Sequence, residues 1–314
     1  SLTDECIDIE HKLQEIFPTV ITKRFHKKTG KPLKDSVEKF NPASRKQIAE
    51  RLVEKGWKPK LKTEKGNIIV NEDVLGKIKG IPESKAILQY LLLQKRASQV
   101  KSWIKFCNPD TWRIHGRIKT LGTVSTRCSH LDPNVAQTPA VYSPYGTECR
   151  TCWTVPDTDK YTLLGCDASQ LELRVLAHYM KDETYIEEIL HGDIHTANQQ
   201  MAGLETRDQA KTFVYALIYG AGAAKIGYIM NKSARHGQQT KDKFLQNVPA
   251  LERLLSRVHE AAERTGMIRG LDGRYFHIRS LHSSLNVLIQ GGGAIICKEW
   301  LIQIMKEINR LQLD

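Results

Sequence analysis

Arg207, Lys211, Tyr215 and Tyr219 recur every fourth residue through "RDQAKTFVYALIYGAG", a stretch with the period of an α-helix. Two cations one turn apart repel, which costs an isolated helix about 0.2–0.5 kcal/mol. That face suits a ligand with a polyanionic end and a flat body. Arg207 and Lys211 would take the phosphates of a nucleoside triphosphate, with Tyr215 and Tyr219 toward sugar and base. The alternative is a solvated basic face beside two half-buried tyrosines. Gly220 and Gly222 end the helix.

A second stretch, "YTLLGCDASQLELRVLAHYM", predicts a buried apolar strand over Tyr161–Cys166 that runs into a helix. Asp167 would then stand at a sheet rim, where its carboxylate either holds a hard cation such as Mg²⁺ or caps the helix. Glu172 falls five residues on, near the helix start. Other motifs read as structural. Cys149 and Cys152 form a CxxC without the second pair that a zinc site needs. "IDIE" (Ile7–Glu10) lies on a helix face, and "GAGAAKIG" lacks the GK[ST] of a phosphate loop.

The elements that must position these residues follow from pattern and charge. The formal net charge is +12 and the pI is near 9.3, which points to a polyanionic partner. The surplus is uneven: residues 1–100 hold 21 Lys+Arg against 13 Asp+Glu. Nucleic acid is the partner that this asymmetry favours. Seven cysteines without a secretory signal suggest reduced thiols in a cytosol-like compartment, and no run of eighteen apolar residues predicts a membrane span. In residues 1–100, helices over "HKLQEIFPTV", "NPASRKQIAERLVEKGW" and "SKAILQYLLLQKRASQVKSWIKF" flank a lysine-rich loop, "TKRFHKKTGKPLK". Short strands and turns follow from about residue 105. Residues 183–270 are mostly helical, Asp272-Gly273 marks a hairpin turn, and 285–311 form a long last helix. The class is α+β, helix-rich, with a small sheet in the second half.

"DASQLELRVLAH" and "RDQAKTFVYALIYGAG" resemble motifs A and B of the DNA polymerase I family (family A), particularly its phage replicative branch. "FNPASR", "GWKP", "LLLQKR", "STRCSHLDPNVAQTP", "SPYGTECR", "GDIHT", "GLDGR" and "LNVLIQGGGAIICK" resemble that branch in the same order, over residues 40–311. The resemblance implies a right-hand polymerase. Residues 1–100 would be a basic thumb, 101–182 the first part of the palm with motif A, 183–270 the fingers with motif B, and 271–314 the second part of the palm. It implies catalytic roles for Asp167 and Lys211, and Mg²⁺ ligands in Asp167 and the backbone carbonyl of Ala168. Glu172 would exclude a 2′-hydroxyl. His195, Arg207 and Lys211 would bind triphosphate, and Tyr219 would stack beneath the nascent pair where Gly220 leaves room. A tyrosine at position 215 goes, in this family, with acceptance of nucleotides lacking a 3′-hydroxyl. Arg127, Asn134, Gln137, Asn286, Gln290, Lys95 and Arg96 carry over as primer-template contacts, which check shape rather than sequence. The implied reaction is two-metal transfer of a nucleotide from a dNTP to a primer 3′-hydroxyl.

The sequence departs from the family in one respect. Motif C, the His-Asp-Glu turn supplying a second metal-binding aspartate, is absent from these 314 residues. The palm is therefore expected to be incomplete, with a second polypeptide carrying the missing hairpin or with the chain a truncated fragment. No exonuclease domain and no long insertion for a processivity factor are expected, and the setting is cytoplasmic, that of a host cell if phage-encoded. The rival reading is a binding module that grips primer-template and nucleotide without turnover. A single-subunit RNA polymerase is opposed by Glu172.

Overall fold

The computed structural model describes residues 1–26, 28–63 and 66–312. They form two compact units, Ser1–Gly116 with Asp132–Thr154, and Arg117–Leu131 with Val155–Asp314. The first unit thus runs past the expected boundary at residue 100, taking in residues 101–116 and 132–154 of the expected palm. The second holds the rest of that palm together with the expected fingers.

In the first unit, α1 (Leu2–Ile16) packs on the long α4 (Glu83–Phe106), with α2 (Arg45–Glu54), α3 (Glu72–Gly76) and α5 (Gly146–Thr151) completing the helices. The Ser44 hydroxyl accepts the Gln47 N–H at 3.4 Å and so starts α2. Leu13, Phe40, Ile48, Leu52, Leu75 and Ile87 are buried at the centre. The lysine-rich stretch predicted as a loop is instead a hairpin over most of its length; Lys27 lies outside the described residues. Strands β1 (Val20–Phe25) and β2 (Pro32–Glu38) pair antiparallel, Ile21 opposite Val37. Val20, Ile21, Thr22, Phe25 and Val37 are strand formers, and Gly30 at φ +65° supplies the turn. Charge masked that pattern. Every described residue of both strands is exposed.

The second unit opens with β3 (Arg117–Lys119) paired to β4 (Ser129–Leu131). Helices α6 (Leu171–Met180), α7 (Glu183–Leu190), α8 (Ile194–Ala202), α9 (Arg207–Ile218), α10 (Ala223–Ile229), α11 (Ala234–Asn247) and α12 (Pro249–Thr265) follow. The hairpin of β5 (Met267–Arg269) and β6 (Tyr275–His277) leads into α13 (Ser284–Leu311). The core joins Leu173, Leu176, Phe213, Phe244, Phe276 and Ile289, with Phe213 edge-on to Phe244 at 5.2 Å.

The glycines of "QGGGA" explain how α13 enters this core. A Cβ at Gly291 would lie 2.3 Å from the Phe276 ring, and one at Gly292 would lie 2.6 Å from Val175 Cγ1. Glycine in a helix interior costs about 1 kcal/mol relative to alanine, and close packing here requires it. The sequence expectation that nothing spans a membrane rests on consecutive apolar residues. By length and a mean hydropathy of 1.2, Leu281–Leu311 does qualify as a span. Its first half is buried in protein against α6 and β6, whereas Leu301, Ile302 and Met305 in its second half are exposed.

Candidate functional site

Thr206 caps α9 by accepting the Gln209 N–H at 3.2 Å, and the helix presents its two cations at that end. The like-charge conflict is half resolved. Arg207 forms a two-pronged pair with Asp193, Nε to Oδ2 at 2.7 Å and Nη2 to Oδ1 at 3.0 Å. Asp193 also caps α8, accepting the His195 N–H at 3.1 Å and the Thr196 hydroxyl at 2.8 Å. The Arg207 guanidinium, then Thr196, hold the Asp193 carboxyl far below the usual carboxylate range. Lys211 is exposed, and no ion pair engages it among the described residues. His195 is buried at 6% exposure, and its Nδ1 finds no hydrogen-bond partner among the described residues. Burial first, then the charges of Arg207 and Lys211, push the imidazole pKa down, against the pull of Asp193. His195, Arg207 and Lys211 therefore share one neighbourhood.

At the other end of α9, the two tyrosines come near Glu172 of α6, Tyr219 through a shared partner, Gln290. Burial raises the Tyr215 hydroxyl pKa, and the nearby Glu172 carboxylate and Tyr219 raise it further. The hub is Gln290, one turn beyond the half-buried Asn286 on α13. Its buried amide donates to the Tyr219 hydroxyl at 3.0 Å and to Glu172 Oε1 at 3.3 Å, and accepts from Arg127 Nη1 at 2.5 Å. One side chain thus joins residues 163, 118 and 71 positions away. Gly220 is required for a backbone reason: at φ +75°, a Cβ there would lie 2.3 Å from the His282 carbonyl. Its need for a glycine is met within the fold itself.

Arg127, Glu172, Gln290, Cys297 and Lys298 line an open cleft of about 330 Å³. Burial raises the Cys297 thiol pKa, and the carboxylates of Asp167 and Glu172 add to the shift while Arg127 opposes it, so Asp167 lies beside this cleft. Its setting differs from the expectation. Tyr161–Cys166 forms no strand and is not buried, with Leu163 69% and Leu164 89% exposed. An apolar run becomes a strand only when a neighbour takes its hydrogen bonds, and none does among the described residues. Asp167 does not cap α6 either; Gln170 occupies that position without a side-chain bond.

The remaining expected DNA contacts lie in the first unit. Lys95 is exposed, 3.8 Å from Glu72. Arg96 departs from expectation: it is buried at 6% exposure and donates to the Pro144 carbonyl at 3.1 Å and Gln99 Oε1 at 3.3 Å. It ties α4 to the 132–154 segment. The Gln137 carbonyl accepts from Gln99 Nε2 at 2.5 Å, and Asn134 Oδ1 is buried without a partner among the described residues. Sequence reasoning missed Asp193, whose signal was a capping Asp two residues before His195, and Lys298, which left none.

The family profile for DNA polymerase family A matches residues 15–314, and the chain belongs to that family. It is 41% identical over 296 residues to the DNA-directed DNA polymerases of Enterobacteria phage T3 and Escherichia phage T7. Those matches cover 84% of this chain and 42% of each relative, so the chain spans about two fifths of their length. DNA polymerase I of Geobacillus stearothermophilus is 26% identical over 300 residues, 88% of this chain and 34% of that protein. The fold is similar to the polymerase domain of Pol1 from M. smegmatis, solved in complex with DNA primer-template and dNTP. The TM-score is 0.79 at 20% identity, over 99% of this chain and 55% of that one.

The family implies a divalent-metal centre. Among the described residues, no three His, Cys, Asp or Glu side chains come together as one, and Asp167 stands as a single exposed carboxylate. Mg²⁺ takes six oxygens in near-octahedral array. The residues present do not by themselves fit the group.

Proposed function

We propose that this chain carries the nucleotide-selecting and primer-gripping part of a DNA-templated DNA polymerase in DNA replication, transferring dNMP to a primer 3′-hydroxyl. The observation that carries this reading is the continuity of α9 with Gln290. Cations gathered around His195 stand at one end of the helix, and tyrosines near Glu172 stand at the other. Lys211, with no acidic partner among the described residues, takes the triphosphate as a charge-assisted contact; Arg207 joins by sharing or leaving Asp193. Buried, neutral His195 contributes an N–H donor. Glu172, held by Gln290 and close to Tyr215, occupies the sugar's 2′ side and disfavours a ribose. Arg127, Gln290 and Asn286 form the polar floor for the primer terminus. The thumb, palm and fingers roles of the segments are part of the same proposal.

Asp167 and the Ala168 carbonyl are proposed as a partial Mg²⁺ site, whose further carboxylate lies outside these 314 residues, on a second polypeptide or on a longer form of this chain. The uncovered run around Leu163 and Leu164, next in sequence to Asp167, supports a partner strand there. The rival reading, a module that binds without turnover, starts from Asp167 as a single exposed carboxylate among the described residues. The deciding experiment is primer extension by the 314-residue chain with Mg²⁺, alone and with a polypeptide carrying the His-Asp-Glu hairpin. Extension is expected only with both; its absence in the mixture, with DNA and dNTP still bound, supports the binding module.

A further inference from the structure

Arg127 reaches Gln290 from the end of a turn that is costly to hold. Thr126, just before it, sits at φ +58°, a left-handed conformation that a β-branched residue adopts only under constraint. The turn has internal bonds: Thr126 N–H to the Thr123 carbonyl at 3.0 Å, Arg127 N–H to Thr123 Oγ1 at 3.0 Å, and Gly122 N–H to the Arg127 carbonyl at 3.2 Å. None of these bonds fixes the turn relative to α13, where Gln290 lies.

Lys298 does that. It stands eight residues after Gln290 on α13, and its ammonium donates to the Thr120 carbonyl at 2.7 Å and the Thr126 carbonyl at 2.6 Å. Those carbonyls bracket the turn. Arg274 adds a weaker tie from the β6 strand side, Nη1 to Thr126 Oγ1 at 3.4 Å. The half-buried ammonium has no carboxylate partner among the described residues, so the two carbonyls are its compensation for lost water. We infer that Lys298 is a positioning residue, fastening the Thr120–Thr126 turn to α13 so that the Arg127 guanidinium is held against Gln290 in the cleft. The inference rests on the reading of that cleft as the primer site.

The test uses the full 314-residue chain and four variants: Lys298→Met, Lys298→Arg, Arg127→Ala and the double Lys298→Met/Arg127→Ala. Hydrogen exchange over residues 117–131 reads the tie itself, without DNA. Lys298→Met should speed exchange there about tenfold or more, the loss expected for bonds to a charged donor, and Lys298→Arg should restore protection. Affinity for a primer-template duplex reads the consequence. Lys298→Met and Arg127→Ala should each weaken it by a similar factor, and the double variant should be no worse than the poorer single, because both remove one interaction. A purely structural role predicts instead a lower melting temperature with additive losses in affinity. Unchanged exchange in Lys298→Met overturns the tie, and additive affinities overturn its role. If Arg127→Ala binds duplex normally, the primer reading of the cleft fails while the exchange result still judges the tie. Lys298→Gln, which keeps one donor, serves in every arm if Lys298→Met does not fold; it should give intermediate exchange, and wild-type protection in it refutes the tie.

Discussion

Arg207 and Lys211 carry the same charge one turn apart, yet among the described residues only Arg207 is answered by an acid, and this separates their roles. Lys211→Ala should weaken dNTP binding about ten- to a hundredfold, the worth of a charge-assisted contact of roughly 1.5–3 kcal/mol, and should leave the melting temperature nearly unchanged. Titrating dNTP and melting the same sample checks this; an unaltered affinity with a higher melting temperature returns the face to a solvated one. His195 makes a pH prediction. Its folded pKa lies below the ordinary value near 6.5, so the unfolded chain takes up the proton first on acidification. Its share of stability is present above about pH 6.5 and is lost as pH falls from there toward the depressed folded value. His195→Gln should flatten that limb of a melting-temperature profile. Asp193, also depressed, acts in a separate window, losing its contribution only below about pH 4. At this scale the sequence was informative wherever spacing carried the signal: the cations and rings of α9 follow a 3.6-residue period. The Gln290 bonds to Glu172 and Arg127 join distant parts of the chain and leave no local trace. Arg96 reads as half of a surface basic pair, and only packing reveals it as buried.

Among the elements, α13 is the one whose sequence and position most constrain each other. Gly292→Ala adds a methyl 2.6 Å from Val175 Cγ1. The overpacking cost of about 1–3 kcal/mol should exceed the gain of up to 1 kcal/mol in helix propensity. Urea denaturation should show a net loss. Val175→Ala in the same chain should recover part of it by making room, and if it makes matters worse the steric account is wrong. The helices and the β5–β6 hairpin were legible because capping residues, period and turn residues agree locally. Two elements were not. The β1–β2 hairpin hides under its lysines, and Tyr161–Cys166 has a strand's composition but, among the described residues, no neighbour that would make it one.

Across the whole molecule, charge is concentrated where little is buried. The exposed β1–β2 hairpin carries Lys23, Arg24, Lys31 and Lys34, within the first hundred residues that hold most of the positive surplus. If that hairpin grips duplex, replacing these four with Gln should make the log–log salt dependence of primer-template binding shallower, by up to about 0.9 for each phosphate no longer neutralised. An unchanged slope with lower affinity would assign the hairpin a structural role and place the ionic grip elsewhere. The fold as a whole was legible through ordered motifs. The division into two units was not, because residues 117–131 and 132–154 go to different units without any break in composition.

The three hydrogen bonds of Gln290 have a consequence for how this sequence is able to drift. A buried amide that serves a carboxylate, a phenol and a guanidinium at once leaves few neutral single steps: changing Gln290 removes three bonds together, and changing a partner leaves one of the amide's own buried atoms to find another. Substitutions at 127, 172, 219 and 290 should therefore appear across descendants as joint replacements. A lineage that has altered Gln290 should carry its compensations at the other three positions, however far apart they stand in the gene.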